Sequence, residues 1–439
     1  MRFCVVVAGL VLLGGCATYH SLPLAKRPNL APAAATAAVP LRLGLRQAGA
    51  LAVARAPKLA AARAKTRIAA AKAYNAGLLP APSLALSLAH PFNGGAASDH
   101  HNAWSAGLTE SLIGLITHSE THSAATAHYA EQLLSWRWQK RQVALQAETA
   151  WSNARVGERE TSALQSELEA ARTLLSAARK AHAAGALATV LYQQANTQVA
   201  TLRTRLQTAR DRKVQADATL ADLLRVPAER VWRFAKPTRI SIPTAATVAT
   251  AIARLPQRRL DLLALQAGYR SADAQLRAAI LAQFPILDIG FTRSRDNTGV
   301  NSIGFGITLH LPFFNDNRGK IAIDRATRQA LNAAYQAHLD TAVTQVQAVY
   351  ERLRIAQREL SGLKAQLPAL KQTAKASQAA LARGEVTRFQ AYAALSAWLD
   401  ARINADQLQA KATQFALILR VLLALPAATQ PATPTGTRT

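Results

Sequence analysis

Four landmarks recur along this 439-residue chain at one constant spacing, and that duplication limits the folds open to it more than any other feature. Pro57 and Pro256 each precede a Leu- and Ala-rich stretch. Gly107 and Gly306 lie in Ala106-Gly107-Leu108-Thr109 and Phe305-Gly306-Ile307-Thr308. Gly185 and Gly384 interrupt long helical patterns, and Leu223-Leu224-Arg225-Val226-Pro227 matches Leu422-Leu423-Ala424-Leu425-Pro426. The differences 256−57, 306−107, 384−185 and 426−227 are each 199, the mark of a repeated unit. Pro285 departs from the rule, lying 205 residues after Pro80. The second half therefore has six more residues before Pro285, and the first has six more in the Gly/Asn/Asp-rich stretch before Gly107.

Each half then reads in one order. An opening helical region (41–78; 245–283) is expected to split at Pro57 or Pro256, with the proline starting the second helix. It ends at Pro80 or Pro285, which cannot continue it. Two short strands and a turn-rich loop follow. Next comes a helical stretch of about 65 residues (118–183; 320–383), roughly 98 Å long at 1.5 Å per residue. Gly185 or Gly384 turns the chain into a return helix of about 40 residues that ends before Pro227 or Pro426. Helices of this length pair as coiled coils, and Ala-rich faces let them approach closely.

The strands alternate at period two. Ile303, Phe305, Ile307, Leu309 and Leu311 alternate with Ser302, Gly304, Gly306, Thr308 and His310, and Leu287, Ile289 and Phe291 alternate with small or polar residues. The first half repeats this with Leu84, Leu86 and Leu88, then with a row of Trp104, Leu108 and Leu112 that Glu110 interrupts. The acid implies either a bulge or a place near the rim. Strands of about 9–11 residues with one apolar face suit a tilted bilayer crossing. Four cannot close a barrel, however, and lipid forbids an open edge, so several chains would have to share one.

Composition excludes several classes. Half the residues are hydrophobic but only 5% are aromatic, which suits helical packing and not a β-sandwich. The formal charge is +27, yet the basic residues are spread along the helices and form no block interleaved with aromatics, so nucleic acid is not an expected partner. No Gly-rich phosphate loop before a Lys, no Cys-x-x-Cys and no converging acid pair is present, so neither an enzyme nor a cofactor is expected. Residues 1–15 read as a secretory signal, with Arg2, an apolar run from Val5 to Leu13, and Gly14-Gly15 before Cys16. The other reading of this segment is an ordinary signal peptide with an incidental cysteine.

Leu13-Gly14-Gly15-Cys16 resembles the bacterial lipoprotein box, which implies acylation (palmitate among the chains) of Cys16, and Ala17 after it implies sorting to the outer membrane. Over almost its whole mature length the chain resembles the outer membrane factors, the TolC-like efflux ducts. The carrying features are the duplicated helix–strand–strand–helix–helix unit, Gly77-Leu78-Leu79-Pro80 leading into a strand, Leu311-Pro312-Phe313-Phe314-Asn315 at a strand exit, and the helix-hairpin turns at Gly185 and Gly384. The resemblance implies a mainly α fold with a small β part. A coiled-coil α-barrel would be continued by a 12-stranded transmembrane β-barrel to which each chain of a homotrimer gives four strands. It implies a lipid-anchored outer-membrane channel reaching into the periplasm, fed by an inner-membrane pump through a periplasmic adaptor. The division expected is 1–15 signal peptide, 16–40 lipidated tether, 41–227 first efflux repeat, 228–244 linker, 245–426 second efflux repeat and 427–439 disordered tail.

In the family the duct narrows where the helix turns meet, and some members carry an acidic ring shortly after the second turn glycine. The matching positions here are Gln390 and Ala393, beside Arg388 and Phe389. The resemblance thus implies a gate in which Phe389 and Gln390 narrow the pore and Arg388 links helices. His118 and His122 stand i, i+4 on one helix face, two possible metal ligands without a third, so no metal site is expected. His100 and His101 fall in the loop between the first two strands. The cargo is either drugs and small organic molecules or heavy-metal ions. The rival class is a periplasmic coiled-coil adaptor or scaffold lipoprotein.

Overall fold

A proline divides the two helices that open the first half. α1 (Leu45–Arg55) is followed by α2 (Pro57–Ala76), and Pro57 takes the first helical position, where a missing N–H costs nothing. The second half is broken twice. α5 (Ala245–Ala253) is followed by the single turn α6 (Leu255–Arg258), which contains Pro256, and then by α7 (Leu260–Leu281). The long helix therefore starts after Arg259, not at the proline. Arg259, only 2% exposed, donates from Nε and Nη2 to the Asp261 carboxylate at 2.9 Å and stacks over Trp138, which fixes the bend.

The computed structural model describes residues 19–24, 42–92, 101–227, 231–236, 242–284, 286–310 and 316–425. Residues 1–40 and 41–439 are separate units, and of the first only the exposed segment 19–24 is described. Cys16, Asp99, His100, Pro285, the Leu311–Asn315 run, Pro426 and the 427–439 tail lie outside the described residues.

Strands β1 (Ser83–Ala89) and β2 (Ala103–Ser111) lead into α3 (Leu112–Ala183) and its return α4 (Thr189–Leu224). β3 (Ile286–Arg295) and β4 (Asn301–His310) lead into α8 (Arg318–Ala382) and α9 (Arg388–Leu422). α3 spans 72 residues, about 108 Å. It begins before His118, because nothing between Ser111 and His118 stops a helix, and the Thr117 hydroxyl simply donates back to the Ile113 carbonyl. Leu112 is accordingly helical and leaves the apolar row of β2.

The four strands form one antiparallel sheet in the order β1-β2-β3-β4, so β2–β3 pairing joins the two halves. Among the helices, apolar residues at coiled-coil spacing build the core. Leu164, Leu168 and Ala171 of α3 meet Val199, Leu202, Leu206 and Ala209 of α4 and Leu399 and Ile403 of α9. Ala342, Val346 and Leu353 of α8 meet Ala412, Ala416 and Leu419 of α9. α4 packs chiefly on α3, and α8 on α9 and α7, which leaves α4 and α8 as the two edges of the helical layer.

The halves also close alike. Arg225 and Ala424, 199 apart, both take left-handed conformations (φ 55° and 51°). The next N–H in each half donates to the carbonyl five residues back, Val226 to Ala221 and Leu425 to Arg420, both at 3.0 Å. Segment 231–236 is clipped to the start of the first half. Leu43 N donates to Arg233 O at 2.8 Å, Trp151 Nε1 donates to Leu43 O at 2.8 Å, and Phe234 meets the Trp151 ring edge-on.

Candidate functional site

Among the described side chains, the sheet register puts every large apolar strand residue on one face. Leu84 pairs with Leu108, Leu108 with Phe291, and Phe291 with Phe305, and paired residues share a face. Leu86, Leu88, Ile289, Ile303, Ile307 and Leu309 follow by alternation, whereas Gly107, Thr292, Gly290 and Gly306 line the opposite side. That apolar face is uncovered: Leu86 is 73% exposed, Ile303 71% and Phe305 69%. Nine such side chains are exposed (Leu84, Leu86, Leu88, Leu108, Phe291, Ile303, Phe305, Ile307 and Leu309). Burying each contributes about 1.5 kcal/mol or more. The sum rivals a whole domain's net stability of about 5–15 kcal/mol, so a face of this kind marks a contact with lipid or protein.

Glu110 lies on this face opposite Ile289. Its register with β3 runs unbroken from Trp104 to Ser111, so there is no bulge, and the acid stands one residue from the strand's helix-side end. The rim is therefore the correct choice between the two readings. Arg293 and Arg295 occupy the other end of the same face. Among the described residues no helix is long and apolar enough to cross a membrane, a statement that does not touch the strands.

The far ends of the helical hairpins carry the second candidate site. Gly185 and Gly384 have φ of 72° and 78°, a conformation that strains any side chain, and nothing crowds either Cα. Beyond Gly384, Thr387 and Gln390 cap α9 reciprocally. Gln390 N donates to Thr387 Oγ1 at 3.2 Å, and Thr387 N donates to Gln390 Oε1 at 2.8 Å. Phe389 packs against Leu174, Ala178 and Ala195, and Arg388 is exposed on a groove with Thr173 and Gln378. The Thr387-x-x-Gln390 spacing is a capping signature readable in the sequence.

Sequence reasoning missed the acid behind this end. Glu167 of α3 is fully buried and accepts from Ser396 Oγ at 2.7 Å, while Gln198 of α4 donates to Tyr392 OH at 3.0 Å. Burial pushes the Glu167 carboxyl above its ordinary range. Arg205 and Asp400, 2.7 Å apart, join the same two hairpins nearby. His118 and His122 stack with ring centroids 6.2 Å apart, and Glu120 pairs with Arg277 instead. Among the described residues no group of three or more His, Cys, Asp or Glu is placed to hold a metal ion.

Residues 251–425 match the profile of the family described as "Outer membrane efflux protein". The second half of the chain is thus similar to the outer membrane efflux proteins. The family consists of channels, not enzymes. No curated protein matches significantly. Solved structures with the same fold include a membrane protein from Pseudomonas aeruginosa (19% identity, TM-score 0.71, covering 93% of this chain and 96% of that one). The outer membrane protein VceC of Vibrio cholerae aligns at 16% identity and TM-score 0.68 (87% and 96% covered). The open-state MtrE outer membrane channel of Neisseria gonorrhoeae aligns at 18% and 0.68 (87% and 88%). At these identities the likeness establishes the fold, a mostly helical chain with a small four-stranded sheet.

Proposed function

We propose that three copies of this chain close their sheets into one 12-stranded barrel in the outer membrane and conduct solutes outward through it. The observation that carries this reading is the apolar sheet face, exposed across all four strands, together with two open edges, β1 and β4. Lipid would cover the face, and β1 of one copy pairing with β4 of the next would abolish the edges. The helical layer supports the same closure, since α4 and α8 are its uncovered margins. Cys16 carries the acyl anchor, 17–40 serves as a tether, and the repeats run over 41–227 and 245–426. An inner-membrane pump delivers the cargo through a periplasmic adaptor that meets the hairpin ends around Gly185 and Gly384. There Arg388, Phe389 and Gln390 stand at the mouth, Phe389 and Gln390 by holding the start of α9 and Arg388 by its exposed charge.

Val214 on α4 and Ile355 on α8 are both exposed, at 67% and 53%. They lie at one level, because Gly157 of α3 abuts Lys213 and Ile355 is offset by 199 from Val156. Cysteines at both positions should be joined between copies by a short bifunctional thiol reagent, giving covalent trimers, while either single variant gives none. A water-soluble monomer with no intermolecular product would refute the barrel. Deleting the gene and testing susceptibility to metals, dyes, detergents and antibiotics distinguishes heavy-metal from drug cargo. Arg388→Ala should alter single-channel conductance.

A further inference from the structure

Three arginines from three helices converge on one cavity of about 230 Å³ in the helical layer: Arg46 of α1, Arg141 of α3 and Arg420 of α9. The one acid in its wall is Glu148 of α3, and Leu45, Leu145, Leu417 and Val421 supply an apolar side. The charges do not balance. Leaving aside Arg420, which has further interactions of its own, the wall has an excess of one positive charge with Glu148 ionised and two with it protonated. Burial pushes the Glu148 carboxyl up to about 7 in spite of Arg46 and Arg420, and burial with repulsion from Arg46 pushes Arg420 down. Each charged form is thus disfavoured where it stands. An anion placed among the guanidiniums would relieve the excess, and guanidinium matches a planar or tetrahedral oxyanion in two-point geometry. The cavity is smaller than ordinary drug-sized pockets of about 300–1,000 Å³. It thus suits a small ligand with a short tail.

We propose that this cavity binds a short-chain amphiphilic anion, its sulfonate, carboxylate or phosphate head on Arg46, Arg141 and Arg420 and its alkyl tail on the leucines. No residue of the hairpin ends contributes to it. Glu148 competes with the head for the same guanidiniums, so the ligand binds best when Glu148 is protonated.

The test uses the full-length protein in lipid nanodiscs and octanesulfonate, which stays ionised at every pH used, followed by calorimetry against empty nanodiscs. One saturable site per chain is expected, about tenfold tighter at pH 6 than at pH 8, the change in protonated Glu148 across a pKa of about 7. Glu148→Gln should keep the tight binding at both pH values. Arg141→Gln should weaken it at least tenfold, and Arg141→Lys, which keeps charge without the two-point fork, should fall between. Absence of a saturable site, or equal affinity in Arg141→Gln, overturns the proposal. Equal binding of ethanesulfonate would overturn the role of the tail, and a pH-independent wild type that Glu148→Gln does not change would overturn the competition.

Discussion

α3 and α8 hold the same place in the two halves, yet they meet opposite surroundings. α3 touches α1, α2, α4, α7 and α9, whereas α8 touches α7 and α9. Their residues differ accordingly. At the constant offset of 199, buried Trp151 becomes partly buried Tyr350, and Glu148 and buried Glu167 become the exposed Gln347 and Gln366. A buried acid has to be held by partners. At these two points only the helix in the middle of the layer is enclosed, and the edge helix carries neutral amides there. The acid that α8 does bury, Asp324, lies near its start, where Lys320 donates to it at 2.7 Å. Duplication copied a backbone, and burial then decided which side chains each copy carries.

The largest expected difference between the two helices is at the aromatic pair. Trp151 is 1% exposed, donates to Leu43 O and packs its face on Phe234, so Trp151→Ala should cost about 3–5 kcal/mol. Tyr350→Ala should cost roughly 1–2 kcal/mol, within the ordinary range for a partly buried position. Denaturant midpoints of the two variants check the order. Equal losses would mean that α8 is as enclosed within one chain as α3.

Next is the acid. A folded-state pKa raised from 4.5 to about 7 means that Glu148 binds its proton more tightly in the folded chain. Its contribution is intact below about pH 4.5, falls as pH rises towards 7, and is flat above. The penalty at pH 8 is on the order of 3 kcal/mol, at 1.36 kcal/mol per unit. Glu148→Gln should therefore be more stable than the parent at pH 8 and nearly equal at pH 4. The slope that remains belongs to Glu167 and Asp406, whose shifts have the same sign. Gln347→Glu on the exposed face should leave the curve unchanged. Thermal unfolding between pH 4 and 8 reads both.

Much of the backbone was legible in the sequence because its signals are local. Gly185 and Gly384 need a left-handed turn, Pro57 fits only a first helical turn, and the period-two rows of β3 and β4 set their own faces. The break at Arg259 was hidden, since it depends on Asp261 and Trp138, and Trp138 lies far away in the chain. Glu148 and Glu167 were hidden for the same reason. A glutamate on a long helix reads as solvated until the helices that bury it are known. At the hairpin end, Phe389 and Gln390 look alike in sequence whether they face a pore, a core or a cap. Only the Thr387–Gln390 spacing carried a signal of its own.

The smallest effect tests how far the copied backbone still matters. Arg225 and Ala424 both end a helix in the left-handed region, where a Cβ costs about 1–2 kcal/mol. Glycine removes that strain but loses more backbone freedom on folding, so the net gain is about 0.5–1 kcal/mol. Ala424→Gly should realise it, because the alanine methyl is all that is removed. Arg225→Gly should gain less, since it also gives up the 3.5 Å pair with Asp222, itself worth little at 79% exposure of the acid. Both variants should raise the unfolding midpoint, in that order. If Ala424→Gly lowered it, the hydrogen bond from Leu425 to Arg420 would depend on the methyl's packing more than on the turn, and the two endings would share a shape without sharing a cause.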